Sequence, residues 1–101
     1  MRLTLVLHAS PDSAHVTTLI RLAREAKAKG HEVTVFAMSA GVGALARADF
    51  TALAAEGIQL TVCEHNRAQV KAPEGVDKVL YGSQYELAGY VQDGDRVVTF
   101  S

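Results

Sequence analysis

The only cysteine of the chain, Cys63, closes the strand-like run Ile58 to Val62 and is followed at once by Glu64, His65, Asn66 and Arg67. A thiol where a strand hands over to a helix can be reactive. The free amides of the following turn favour the thiolate, and the thiolate is the nucleophilic form. Arg67 or His65 can add to that stabilisation, while Glu64 opposes it. The same residue also suits a packing role, because unpaired cysteines are among the most buried side chains and most are inert. Position alone leaves both readings open.

The other candidate groups carry less. Ser39-Ala40-Gly41-Val42-Gly43-Ala44-Leu45-Ala46 contains G-x-G-x-x-A, a form of the dinucleotide-binding fingerprint. It follows the second strand-like run rather than the first, so a tight turn that brings backbone close to a site is the better reading. His8 and His65 fall at strand ends, where a histidine can carry protons near neutral pH, whereas His15 and His31 flank a helix as solvated positions. No serine, histidine and acid form a recognisable triad. One cysteine and four scattered histidines make neither a disulfide nor a zinc site of the usual spacing, so no metal and no cofactor are expected.

The elements that would position Cys63 alternate. Leu3 to Leu7 is β-rich, and Ser10-Pro11-Asp12 offers a serine cap, a first-turn proline and an acid for the dipole of a helix over Asp12 to Lys29. Val16, Leu19, Ile20, Ala23 and Ala26 recur there at threes and fours, and Gly30 stops the helix. Val33 to Met38 is a second strand. Ser39 to Gly43 reads as a loop into Ala44 to Glu56, a short helical turn and then a helix that Asp49 can cap and Gly57 ends. Ile58 to Cys63 is the third strand, and a helix from about His65 to Val70 follows. Val79 to Tyr81 is the fourth strand. Ser83-Gln84-Tyr85-Glu86 matches a capping box, predicting a helix with Leu87, Ala88 and Val91 on one face that ends near Gly94, before a last strand from Arg96 to Phe100.

Strands that alternate with helices and are nearly continuous in apolar residues predict a parallel sheet covered on both faces, a three-layer α/β/α sandwich. No linker or repeat divides the 101 residues, so 1–101 reads as one domain. In such a sheet ligands bind beyond the carboxyl ends of the strands. That edge holds His8 to Ser10, Ser39 to Gly43, Cys63 to Asn66, and Gly82-Ser83. Ten basic and eleven acidic side chains leave a net charge of −1, which speaks against nucleic-acid binding. No apolar run is long enough for a membrane span, and no cleavable leader is evident, so a cytoplasmic protein is expected.

With these pieces placed, the chain resembles the DsrE/DsrF-like family, which includes sulfur-relay subunits of the TusD/DsrE type. The resemblance rests on the ordered set RLTLVLHASPDS, GHEVTVFAMSAGV, IQLTVCEHNR and VLYGSQYELAGYVQDGDRVVTFS, which together run almost end to end. It implies a five-stranded parallel sheet of order 4-3-2-1-5. It also implies that Cys63, at the end of the third strand, accepts persulfide sulfur and passes it on, as a sulfur carrier or sulfurtransferase. In that strand order the Ser39–Gly43 loop and the Gly82-Ser83 turn flank Cys63 more closely than His8 does. Ser39, Gly41, Gly43, His65, Arg67, Gly82 and Ser83 are therefore the expected surroundings of the thiol. Family members without a relay cysteine act as structural or interaction subunits, so a non-catalytic assembly subunit with an inert Cys63 is the alternative. The resemblance further implies a homo-oligomer (trimer or hexamer) or a heteromeric complex, with sulfur donor and acceptor proteins as partners.

Overall fold

The structure is a computed structural model describing residues 1–101. Its strands are β1 (Arg2–Leu7), β2 (Glu32–Ala37), β3 (Gln59–Cys63), β4 (Val79–Gly82) and β5 (Arg96–Phe100). Its helices are α1 (Ala14–Ala28), α2 (Ala48–Ala55), α3 (Glu64–Val70) and α4 (Gln84–Asp93), with a 3-10 helix at Ser39–Ala46. All strand pairs are parallel and the order is β4-β3-β2-β1-β5, as the family resemblance implies.

Register divides the side chains between two faces. Leu5, Val35, Leu60 and Val79 are level across four strands, as are Leu7, Ala37, Val62 and Tyr81. This face packs on Val16, Leu19, Ile20 and Ala23 of α1, on Phe50 and Leu53 of α2, and on Val42 and Leu45 of the 3-10 helix, in one apolar cluster. The opposite face carries Val6, Phe36, Thr61 and Leu80, with Thr4 and Thr34 one step below and Cys63 level with Gly82 one step above. Only α4 lies across it, because the connection from β4 to β5 runs in the reverse direction to all the others. A right-handed crossover then demands the other side of the sheet.

Four local expectations are corrected. Helix α1 begins at Ala14, with Ser13 as its cap accepting from the His15 amide at 3.1 Å. Ser10, Pro11 and Asp12 instead form a turn ahead of it, closed by the Ser13 amide on the Ser10 carbonyl at 2.9 Å. Arg47, clamped on the Pro11 carbonyl at 2.9 Å, holds that turn in place. The stretch Ser39–Gly43 is helical rather than a loop. Asp49 is not a cap: it lies in the first turn of α2 and its carboxylate takes two Arg47 nitrogens at 3.0 and 2.8 Å. On α4, Ala88 and Val91 face outward while Leu87 and Tyr90 are the sheltered pair. The Tyr90 hydroxyl decides this by meeting the buried Thr61 hydroxyl at 2.8 Å.

Gly41 is required by close approach. A Cβ there would stand 2.3 Å from the Leu7 carbonyl oxygen, far inside van der Waals contact. Gly41→Ala is therefore expected to destabilise the protein by about 2 kcal/mol or more. Chemical denaturation reads this directly, with Gly89→Ala, where a Cβ would meet nothing, as the tolerated control.

Candidate functional site

Chain direction singles out one position on the sheet edge. After β3 the chain turns onto the face covered by α1 and α2, where α3 packs against the 3-10 helix, while after β4 it turns onto the α4 face. The carboxyl ends of β3 and β4 thus part on the sheet edge along which α/β folds bind ligands, while the strand order itself reverses between β1 and β5. Cys63 and Gly82 are the register partners at that point.

Cys63 is a free thiol, 5% exposed, and stands outside the main apolar cluster because it points to the opposite face of the sheet. It is also the N-cap residue of α3, with extended backbone and no side-chain capping bond. Its helix has only seven residues, so the dipole behind it is short.

Contacts from both neighbouring strands straddle the end of β3. On one side the Ser39 amide donates to the Asn66 carboxamide oxygen at 2.9 Å, joining the start of the 3-10 helix to α3. Ser39 holds a φ of 54°, a left-handed conformation that costs a serine energy and that this bond helps maintain. On the other side the Gln84 carboxamide donates to the Met38 sulfur at 3.9 Å, reaching from the β4 side to the β2 side. Below it Glu86 accepts from the Ser83 amide at 2.6 Å and the Ser83 hydroxyl at 3.0 Å, closing the capping box. A Cβ on Gly82 would stand 2.7 Å from that Glu86 oxygen, so glycine keeps room for the cap.

The remaining expected residues fall as follows. Arg67 is committed: it holds Glu64 through two nitrogens at 2.6 and 2.8 Å, the Ala72 carbonyl at 3.1 Å, and approaches Glu74 at 3.7 Å. Its bond to Glu64 pushes the Glu64 carboxyl below the usual range, and the pair is close to neutral as seen from Cys63. His65 is exposed on α3. Gly41 and Gly43 back onto Leu7 and Pro11 at the end of β1, so both glycines of the G-x-G pattern have packing reasons. His8 is half-buried beside β5, its amide on the Phe100 carbonyl. Met38 and Gln84 are the residues of the site that sequence reasoning passed over, while Asn66 was placed on this edge without its bond to Ser39. The only signal for Met38 and Gln84 was their place at the ends of β2 and β4. No group of three His, Cys, Asp or Glu side chains is placed to hold a metal ion. The chemistry on offer is that of one sulfur, 5% exposed, at the parted ends of β3 and β4. Cys63 lines none of the three surface cavities.

The profile of the DsrE/DsrF-like family matches residues 1–100. No curated protein sequence matches this one. Among solved structures, the crystal structure of the YchN protein from E. coli superposes with a TM-score of 0.84 at 20% identity, covering 99% of this chain and 99% of that one. At that identity the likeness speaks to the fold. No helix is long and apolar enough to cross a membrane.

The cap beside Cys63 makes a pH prediction. The Ser83 amide, then its hydroxyl, hold the Glu86 carboxyl below its ordinary value of 4.5. A carboxyl depressed in the folded state contributes stability that is whole above the ordinary value and is lost as pH falls through the folded one. Lowering the pH from about 6 to about 3 should lower the melting temperature, and Glu86→Gln should flatten part of that fall. An unchanged acid limb in the variant would show that this cap does not titrate with folding.

Proposed function

We propose that this chain, which belongs to the DsrE/DsrF-like family, is a sulfur carrier in which Cys63 accepts sulfane sulfur and hands it on. The observation that carries the reading is the placement of the sole thiol level with Gly82 where β3 and β4 part. The Cys63 thiolate attacks the terminal sulfur of a donor persulfide. The new S–S bond forms at Cys63, the donor's inner S–S bond breaks, and the donor leaves as a thiolate. An acceptor thiolate then removes the outer sulfur in the same way and regenerates Cys63. The exchange is redox-neutral and needs no metal or cofactor. With no second thiol in the chain, nothing intramolecular intercepts the sulfur.

A sulfur that is 5% exposed must be uncovered before it can meet a donor. Opening the Gln84–Met38 contact is the smallest movement that would do so, since it joins one side chain of α4 to another across the end of β3, on the face to which Cys63 points. Donor and acceptor proteins, or further copies of the chain, would dock beside it. Leu80 and Tyr85, both well exposed, provide apolar surface next to Gly82 for that contact. The same burial favours a second reading, a non-catalytic assembly subunit whose Cys63 stays closed.

Two measurements separate the readings. Incubation with a low-molecular-weight persulfide donor should add one sulfur to the intact mass of the wild type and none to Cys63→Ser; no adduct on the wild type would sink the carrier reading. Gln84→Ala should speed native labelling of Cys63 by a thiol probe about twofold, the effect of losing a weak hydrogen bond worth about 0.5 kcal/mol. Labelling that needs denaturant in both proteins would favour the assembly subunit.

A further inference from the structure

At the amino-terminal end of the sheet, away from Cys63, a cavity of about 230 Å³ lies between the strands and α4. Thr4 and Thr34, level on adjacent strands, form one wall, and Tyr90 and Gly94 form another. Thr4 is 3% exposed, yet no protein group hydrogen-bonds its hydroxyl. No sealed side-chain oxygen lacks a partner, so the Thr4 oxygen must open to the cavity it lines, and it stands 3.2 Å from where a Cβ on Gly94 would be. The contrast on the same face is Thr61, fully buried and satisfied by Tyr90 at 2.8 Å and Gln59 at 3.2 Å. The Thr4 hydroxyl is therefore left free to bond whatever occupies the cavity.

The charge at the mouth selects the occupant. Two cations lie here: Arg2, already paired with Glu32 at 3.0 Å, and the Met1 ammonium, which lines the outer hollow and is held by the His31 ring at 3.1 Å, against the three carboxylates of Glu32, Asp93 and Asp95. Asp93 has no ion pair, and it shares with Glu32 and Asp95 an adjoining hollow of about 430 Å³. Asp95 spends one oxygen on the Arg2 amide at 2.7 Å and keeps its charge. The surplus is one negative charge, and the inner wall presents hydroxyl oxygens that can accept. The complement is a cation with N–H donors.

We infer that this cavity binds a short aliphatic primary amine in its ammonium form. One ammonium group donates to the Thr4 and Thr34 hydroxyls and to the Asp93 carboxylate, and in a diamine the other meets Asp95 in the outer hollow. This site lies at the opposite end of the strands from Cys63 and does not depend on the sulfur-carrier reading.

The test is an NMR titration of the full chain, labelled with nitrogen-15, using 1,4-diaminobutane at constant ionic strength. Saturable shifts are expected at the amides of Thr4, Thr34 and Gly94, with Cys63 and Gly82 unmoved. Thr4→Val, which keeps the shape, and Asp93→Asn, on the exposed rim, should each weaken binding about tenfold. The absence of saturable shifts at millimolar amine would overturn the site. Equal binding of tetramethylammonium would overturn the hydrogen-bonded ammonium, since that ion has charge but no donors. Tighter binding of glycine would make Arg2 the anchor and overturn the amine assignment. Unchanged affinity in Thr4→Val would do the same for the role of the buried hydroxyl.

Discussion

The parallel pairing of β3 with β4 sets Cys63 level with Gly82, and much else in the molecule follows from how the chain leaves that pair. β4 sits at one edge of the sheet and β5 at the other, so the connecting segment must traverse the sheet. A right-handed crossover in that direction puts α4 on the face opposite α1 and α2. The strand ends therefore part beside the thiol, and Gln84, at the first turn of α4, comes within reach of Met38 across the end of β3. The capping box at Ser83 and Glu86 fixes where α4 starts, and with it the surroundings of Cys63.

The two faces of the sheet are built differently as a result. One is closed by α1, α2 and the 3-10 helix around a continuous apolar cluster, with Phe50, Leu5, Leu7, Leu19 and Leu60 fully buried. The other has one helix over it and uses polar anchoring: the Tyr90–Thr61 bond at 2.8 Å holds α4 where apolar contact is thin. Val91, Val97 and Leu80 stay exposed on or around α4 and the neighbouring edge strands. Cys63 points to this thinner side, which is the side on which a small opening motion disturbs the least packing.

Charge in the molecule is largely local. Arg47 with Asp49, Arg24 with Glu56, and Arg67 with Glu64 each join residues that fasten one connection to another or one turn to itself. Each carboxyl is held below its ordinary range by the hydrogen bonds of its arginine. Arg67 illustrates the consequence for the site. A cation near a cysteine in sequence is not a cation available to it once a carboxylate three residues away has taken both ends of the guanidinium.

Periodicity and punctuation in the sequence determined the elements and the central pattern of burial. The threes and fours of α1, the apolar runs of β1 to β3, the stops at Gly30 and Gly57, and the capping box before α4 are all local signals, written within one or two turns of chain. They also placed Cys63 at a strand end, and the ordered motifs implied the strand order. What the tertiary structure decided is everything that depends on contacts distant in sequence. Ser13 rather than Ser10 caps α1, because Arg47 ties the Ser10–Asp12 turn into a separate corner. Leu87 and Tyr90, not Ala88 and Val91, meet the sheet, because Thr61 offers Tyr90 a partner 29 residues away. Met38 and Gln84 joined the surroundings of Cys63 for the same reason: side-chain hydrogen bonds between neighbouring strand ends leave no periodic trace. The shelter of the thiol also belongs to tertiary structure, since burial depends on which segments cross over a residue and not on the residues beside it.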